Sequence, residues 1–208
     1  MDRSLARFLQ EKPAVAPGER CEMCTAALAA EHSHVVDMHD RRLLCACRPC
    51  YLLFTYQGAA QGRMKAVPDR VVHLHDLRID DAQWNALAIP INLAFFFTNS
   101  QANALAAFYP GPAGAAESEL PLEVAKSILQ THPLLATMEP DVEALLIERS
   151  LEGPQRAFLV PIDACYELVG VIRTHWKGFD GGDEARATID AFFARLLERS
   201  GTMTGARS

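Results

Sequence analysis

The chain reads as an α+β protein, with an N-terminal zinc-knuckle module followed by a mainly antiparallel sheet flanked by helices. Three observations predict this. Cys21-Glu22-Met23-Cys24 and Cys47-Arg48-Pro49-Cys50 are two C-x2-C pairs separated by 22 residues, close to zinc-ribbon spacing. Beyond residue 66 come short apolar stretches of strand composition bounded by turn residues, two of them close enough to form a hairpin. Between and after these strands lie stretches with apolar residues at helical spacing.

Composition sets outer limits. The chain has 208 residues, half of them hydrophobic and 22% charged, as expected of a globular protein of one or two domains. A net charge of −6 and a pI near 5.6 argue against broad nucleic-acid binding. Arg41, Arg42 and Arg48 form a basic patch beside the cysteines, read as a solvated rim that lowers thiol pKa values. The first residues lack the apolar core of a signal peptide. The longest apolar run, residues 89–97, is interrupted by Pro90 and Asn92 and is too short to span a membrane. A cytoplasmic location is expected, where cysteines stay reduced and available to metal.

Residues 1–18 read as a short helix and linker, with Leu5, Phe8 and Leu9 on one face and Pro13, Pro17 and Gly18 ending it. The zinc module is expected over 19–56. Two residues between cysteines allow a tight turn to aim both sulfurs at one ion, and two such turns supply four thiolates. Cys21, Cys24, Cys47 and Cys50 are therefore assigned as ligands. Four thiolates also suit an iron–sulfur cluster, but the spacing favours zinc. Such a site has no open position, so its role is structural and the protein is read as non-enzymatic.

Strands over 35–38 and 42–44 would form a hairpin delivering Cys45 and Cys47 to the second knuckle. Cys45 is then left over. His32 and His34 are two apart and point the same way on a strand. They, with Cys45, are candidates to replace a ligand or to form a second site. The simpler reading makes the histidines polar neighbours, one donating to a thiolate.

Two further patterns lie here. C-x2-C, a histidine pair and C-x2-C together resemble zinc-stabilised HNH nucleases. The acidic charge and the lack of a downstream helix with Asn or His ligands weigh against that. Residues 43–54 resemble a strand, a C-x-P-C motif and a helix, as in thioredoxin-type sites. A thiol redox or metal-delivery protein would use the Cys47-Arg48-Pro49-Cys50 pair, but this leaves Cys21 and Cys24 unexplained.

After a loop at Gly58 and Gly62, the α+β domain is expected over 66–200. Residues 70–77 are strand-like, with His73 and His75 on one solvated face. Asp80 or Asp81 caps a helix over 82–87 anchored by Trp84. Residues 89–98 are the clearest buried strand, and 99–103 turn it back into a strand over 104–109. Phe95, Phe96, Phe97, Phe108 and Tyr109 read as core. The small-residue stretch 110–118 reads as a plain connection and lacks the ending of a phosphate-binding loop. A helix over 120–132 stops at Pro133. Strands follow over 144–149 and 157–162. Asp163 is the expected N-cap of a helix ending near Trp176. A last amphipathic helix covers 184–199, and 201–208 reads as a frayed tail. Cys165 and His175 lie ten residues apart on one expected helix, roughly 15 Å along its axis, which excludes a catalytic dyad unless that helix breaks between them. Cys165 reads as a buried small hydrophobe.

Several motifs together resemble a known bacterial family. They are Cys21-x2-Cys24, Glu31-His32-Ser33-His34, Leu43 to Phe54, Ala94-Phe95-Phe96-Phe97, Ala107 to Ala115, Glu139 to Leu146, and Phe158 to Asp163 with Arg173-Thr174-His175-Trp176. The family has no assigned activity and tends to be encoded beside uptake NiFe-hydrogenase genes, notably of the oxygen-tolerant actinobacterial type. The resemblance runs from about Arg20 to the last helix. It implies an accessory or assembly role, with a hydrogenase subunit or maturation factor as partner.

Overall fold

A computed structural model describes residues 19–56, 58–111, 113–118, 122–149, 154–176 and 182–204. The helix and linker expected over 1–18 lie outside the described residues. The architecture is α+β with two antiparallel sheets. The smaller sheet holds β1 (Ser33–Asp37), β2 (Arg42–Ala46) and β3 (Met64–Ala66), in the order β2-β1-β3. The larger holds β4 (Val72–His73), β5 (Leu93–Asn99), β6 (Ala104–Gly111), β7 (Gly114–Glu117), β8 (Glu143–Glu148) and β9 (Arg156–Pro161), in the order β4-β9-β8-β5-β6-β7. Both of its edges are short strands, which limits the backbone left open to pairing. Five α-helices are described: α1 (Arg48–Leu52), α2 (Asp81–Ala86), α3 (Leu122–Gln130), α4 (Ile162–His175) and α5 (Gly182–Thr204).

Residues alternate between the two faces of the large sheet, and both faces are covered. On one face Phe95, Leu146, Phe158 and Val160 pack against Cys165, Leu168 and Ile172 of α4 and Phe192, Phe193 and Leu196 of α5. On the other, Phe96, Leu145, Ile147 and Leu159 meet Trp84, Leu87 and Ile128. Double-sided burial explains why residues 93–96 are uninterrupted apolar sequence instead of an alternating pattern. Each fully buried side chain of this size contributes about 1.5–3 kcal/mol.

β5 and β6 pair with Phe95 opposite Phe108, and Phe108 stacks on both Phe95 and Phe97 with ring centroids 5.6 Å apart. On the far side β5 pairs β8, with Phe95 opposite Leu146. Glu143, 1% exposed at the start of β8, is held by Arg70 through two bonds of 2.7 and 2.6 Å and by the Glu139 N–H at 2.7 Å. That bidentate arrangement satisfies the buried carboxylate.

Several sequence expectations are corrected. The stretch 110–118 is not a plain connection: residues 114–117 form β7, paired to β6 with Gly111 opposite Gly114. Gly114 has φ 126°, a conformation that only glycine adopts without strain, and this makes the tight reversal. The strand expected over 70–77 shrinks to two residues. Residues 89–92 lie outside β5. Asp163 is not the N-cap of α4. Pro161 holds that position without a side-chain cap, and Asp163 falls in the first turn, where it is used elsewhere. α5 continues to Thr204, past the expected end at Arg199. His73 is not simply solvated: it stacks on Phe158 at 4.7 Å. Burial, then His75 and Arg78, push its imidazole below the usual pKa. Of the two expected caps Asp80 is the one used, on a helix over 81–86, and it forms a full capping box, with Asp80 accepting from Gln83 N–H and Gln83 accepting from Asp80 N–H.

The small sheet packs on the α4 side of the large one. Val36 and Leu43 reach the core beneath α4 and α5. Lys65 bonds the Pro140 carbonyl at 2.7 Å and pairs with Glu139 at 3.1 Å. Gln101 donates to the Met38 carbonyl.

Candidate metal centre

The first knuckle is a turn closed by the Cys21 N–H on the Ala26 carbonyl (2.9 Å) and the Thr25 N–H on the Cys21 carbonyl (2.8 Å). Closing it forces Thr25 to φ 62°, an unusual conformation for a β-branched residue. The second knuckle is built differently. β2 ends at Ala46, Cys47 is the N-cap of α1, and Pro49 sits at the start of that helix, where its missing N–H costs nothing. The Tyr51 N–H bonds the Cys47 carbonyl at 2.9 Å and so starts the helical turn that raises Cys50 beside Cys47.

Glu22 joins the two knuckles. Its N–H bonds the Cys45 carbonyl at 2.9 Å, and its carboxylate accepts from the Cys45 N–H at 2.8 Å and from Arg42 at 3.1 Å. A residue inside the first C-x2-C pair thereby grips the strand that leads into the second. Arg42 serves this clamp, while Arg48 lies over the Tyr51 ring.

Together these contacts bring the four predicted residues to one place. One sulfur from each of Cys21, Cys24, Cys47 and Cys50 lies within 4.8 Å of all the others, and Cys24 and Cys47 are 3.5 Å apart. Sulfurs about 2.3 Å from a tetrahedral ion are separated by about 3.8 Å, so the cluster has the dimensions of a metal site. The sulfurs are too far apart for disulfides, and all six cysteines are free. Cys21 is buried, Cys47 and Cys50 are half-buried, and Cys24 is exposed.

The electrostatics are those of crowded thiols. Burial pushes the Cys21 thiol up, but the Cys47, Cys24 and Met23 backbone N–H groups outweigh it and hold Cys21 down at about 6. At Cys24 the Ala26 backbone favours the thiolate, yet the Cys47 and Cys21 sulfurs prevail and raise it. Cys50, beside Cys47 and Cys24 and partly desolvated, is pushed up to about 12. A cation among the four sulfurs inverts this order, because coordinated thiols ionise outright.

The remaining cysteines and histidines separate clearly. Cys45 joins His32 and His34 in a second group whose ligand atoms also lie within 4.8 Å of one another. Cys165 is fully buried on the inner face of α4, where burial and then Asp163 push its thiol far up. It shares the unbroken α4 with His175, so no dyad forms. His73 and His75, with ring centroids 6.3 Å apart, are in neither cluster. A cavity of about 160 Å³ between the sheets is lined by Val36, Leu43, Phe97, Phe108, Ile162 and Tyr166, among others. Sequence reasoning missed Glu22 and Asp163. Glu22 has no signature beyond its place between two cysteines, and Asp163 acts on a residue 129 positions away.

No helix among the described residues is long and apolar enough to cross a membrane. No curated protein and no solved structure matches the chain. Residues 20–200 match a family of unknown function, DUF5947, whose span takes in both cysteine pairs and ends within α5. The chain therefore belongs to the DUF5947 family.

Proposed function

We propose that the protein is a zinc-stabilised, non-enzymatic accessory protein that acts by binding another protein. Cys21, Cys24, Cys47 and Cys50 would hold one structural zinc. The observation that carries this reading is the convergence of four sulfurs from two separate knuckles within 4.8 Å. Four protein ligands leave no position for substrate, so the ion serves the fold. The small sheet buries few apolar residues of its own, chiefly Val35 and Ala46, and metal affinity would supply the missing folding energy.

The partner is proposed from the family resemblance: a NiFe-hydrogenase subunit or maturation factor, met in the cytoplasm during assembly. Co-purification with that subunit from cells making both proteins tests this, and repeated absence of the complex counts against it. Cys50→Ser is expected to release the ion and unfold the small sheet, read as lost protection of residues 33–46 in hydrogen exchange. A zinc-loaded, fully protected Cys50→Ser protein would sink the structural role.

The order β2, Cys47, α1 favours a second reading, in which the Cys47–Cys50 pair cycles between thiol and disulfide. Two features weigh against it: α1 has only five residues and buries none, and Cys24 lies 3.5 Å from Cys47. An HNH-type site has less support, since α1 carries neither Asn nor His.

A further inference from the structure

A second cluster lies on the hairpin beside the four cysteines. The pairing of β1 with β2 sets His34 opposite Cys45. His32 lies two residues earlier, and its ring centroid is 4.7 Å from that of His34. One ligand atom from each of His32, His34 and Cys45 falls within 4.8 Å of the other two.

Both rings are already oriented. His34 Nδ1 is 2.8 Å from Asp163 Oδ2, in the first turn of α4. His32 Nδ1 is 3.0 Å from the Ala29 carbonyl oxygen and 3.4 Å from Glu19 Oε2. Carbonyls and ionised carboxylates only accept, so each Nδ1 carries the proton and each neutral ring offers its lone pair at Nε2. The His32 side chain is only 8% exposed, and its Nε2 has no hydrogen-bond partner. A buried polar atom without a partner calls for an explanation. The ring that carries it lies beside a second imidazole and a thiol, both ligands for a borderline-soft cation. The carboxylate behind His34 is the support that metal-bound histidines commonly have.

We propose that His32 Nε2, His34 Nε2 and Cys45 Sγ form a second metal site, separate from the four-cysteine cluster, that takes one zinc-class divalent ion. Three protein ligands leave a fourth position for water or an exogenous donor, unlike the closed cluster beside it. Asp163 is a positioning residue. It fixes the tautomer of His34 and ties the small sheet to α4, so that binding at this site also braces the contact between the two sheets.

The test is titration of the full chain with cobalt(II), followed by absorption and by metal content. The wild type is expected to bind two cobalt ions per chain, one with a four-thiolate spectrum and one with the weaker band of a single thiolate. Cys45→Ala is expected to keep the first and lose the second. Asp163→Asn should weaken only the second ion, by about 10- to 100-fold. Equal affinity in that variant would overturn the part assigned to Asp163. A wild type saturating at one ion with the four-thiolate spectrum, or a Cys45→Ala protein still binding two, overturns the site. One ion with the single-thiolate band and no four-thiolate band would instead sink the first site and leave this one standing. Should Cys45→Ala not fold, nitrogen NMR of the zinc-loaded wild type decides. Metal-shifted Nε2 resonances for His32 and His34 uphold the site, and free-imidazole values for both overturn it.

Discussion

Thr25 shows how closely the first knuckle is constrained. Its φ of 62° places a β-branched residue in the left-handed region so that its N–H can reach the Cys21 carbonyl. Such strain costs about 1–3 kcal/mol, and glycine would relieve it at an entropic cost of about 0.5–1 kcal/mol. Thr25→Gly is therefore expected to stabilise the protein by about 1 kcal/mol, read as a higher denaturant midpoint, whereas destabilisation would show that the threonine side chain matters more than its backbone. The cysteines make a second prediction at this scale. Cys24 lies above its ordinary range and Cys50 at about 12, so both are protonated near neutral pH until an ion displaces the protons. Zinc affinity should then fall as pH falls, by at least about 100-fold per unit between pH 7 and 9. Below about 6, where Cys21 also takes up a proton, the slope should steepen. Competition with a chelator across pH measures it, and a flat profile would exclude thiolate ligands. The four cysteines were legible because ligand spacing is local. Glu22 and Asp163 were not, because each is defined by a contact made only after folding.

Among the elements, sequence reading succeeded where burial follows a local pattern and failed where pairing depends on distant partners. The Asp80 cap of α2 and the apolar run at the heart of β5 are local, and both were legible, although β5 starts only at Leu93. β7 was missed because Gly114, Ala115 and Ala116 have little strand propensity, and the neighbouring strand β6 creates the element through backbone pairing. β4 was overextended because Val71 and Leu74 are buried by tertiary packing, while only Val72 and His73 pair with β9. The β6–β7 hairpin depends on Gly114 at φ 126°, and a Cβ there would meet no atom within 4 Å. Gly114→Ala is therefore a clean probe of backbone strain. It should cost about 1–3 kcal/mol in equilibrium unfolding, and a neutral result would mean that the turn can adopt another conformation.

For the whole molecule, the fold class followed from composition and spacing, but the assembly of the two sheets did not. That assembly rests on apolar residues of the small sheet, Val36 and Leu43, which enter the core under α4 and α5, and on polar links from Lys65, Gln101 and His34. These contacts join positions as far apart as 34 and 163, and no local pattern announces them. The central claim is that a metal, not a disulfide or an active thiol pair, holds Cys21, Cys24, Cys47 and Cys50 together. Native mass spectrometry combined with thiol alkylation of the purified full chain tests it most directly. The account predicts bound zinc, with these four cysteines resisting alkylation until a chelator removes the ion. A metal-free protein in which Cys47 and Cys50 are joined by a disulfide would contradict it.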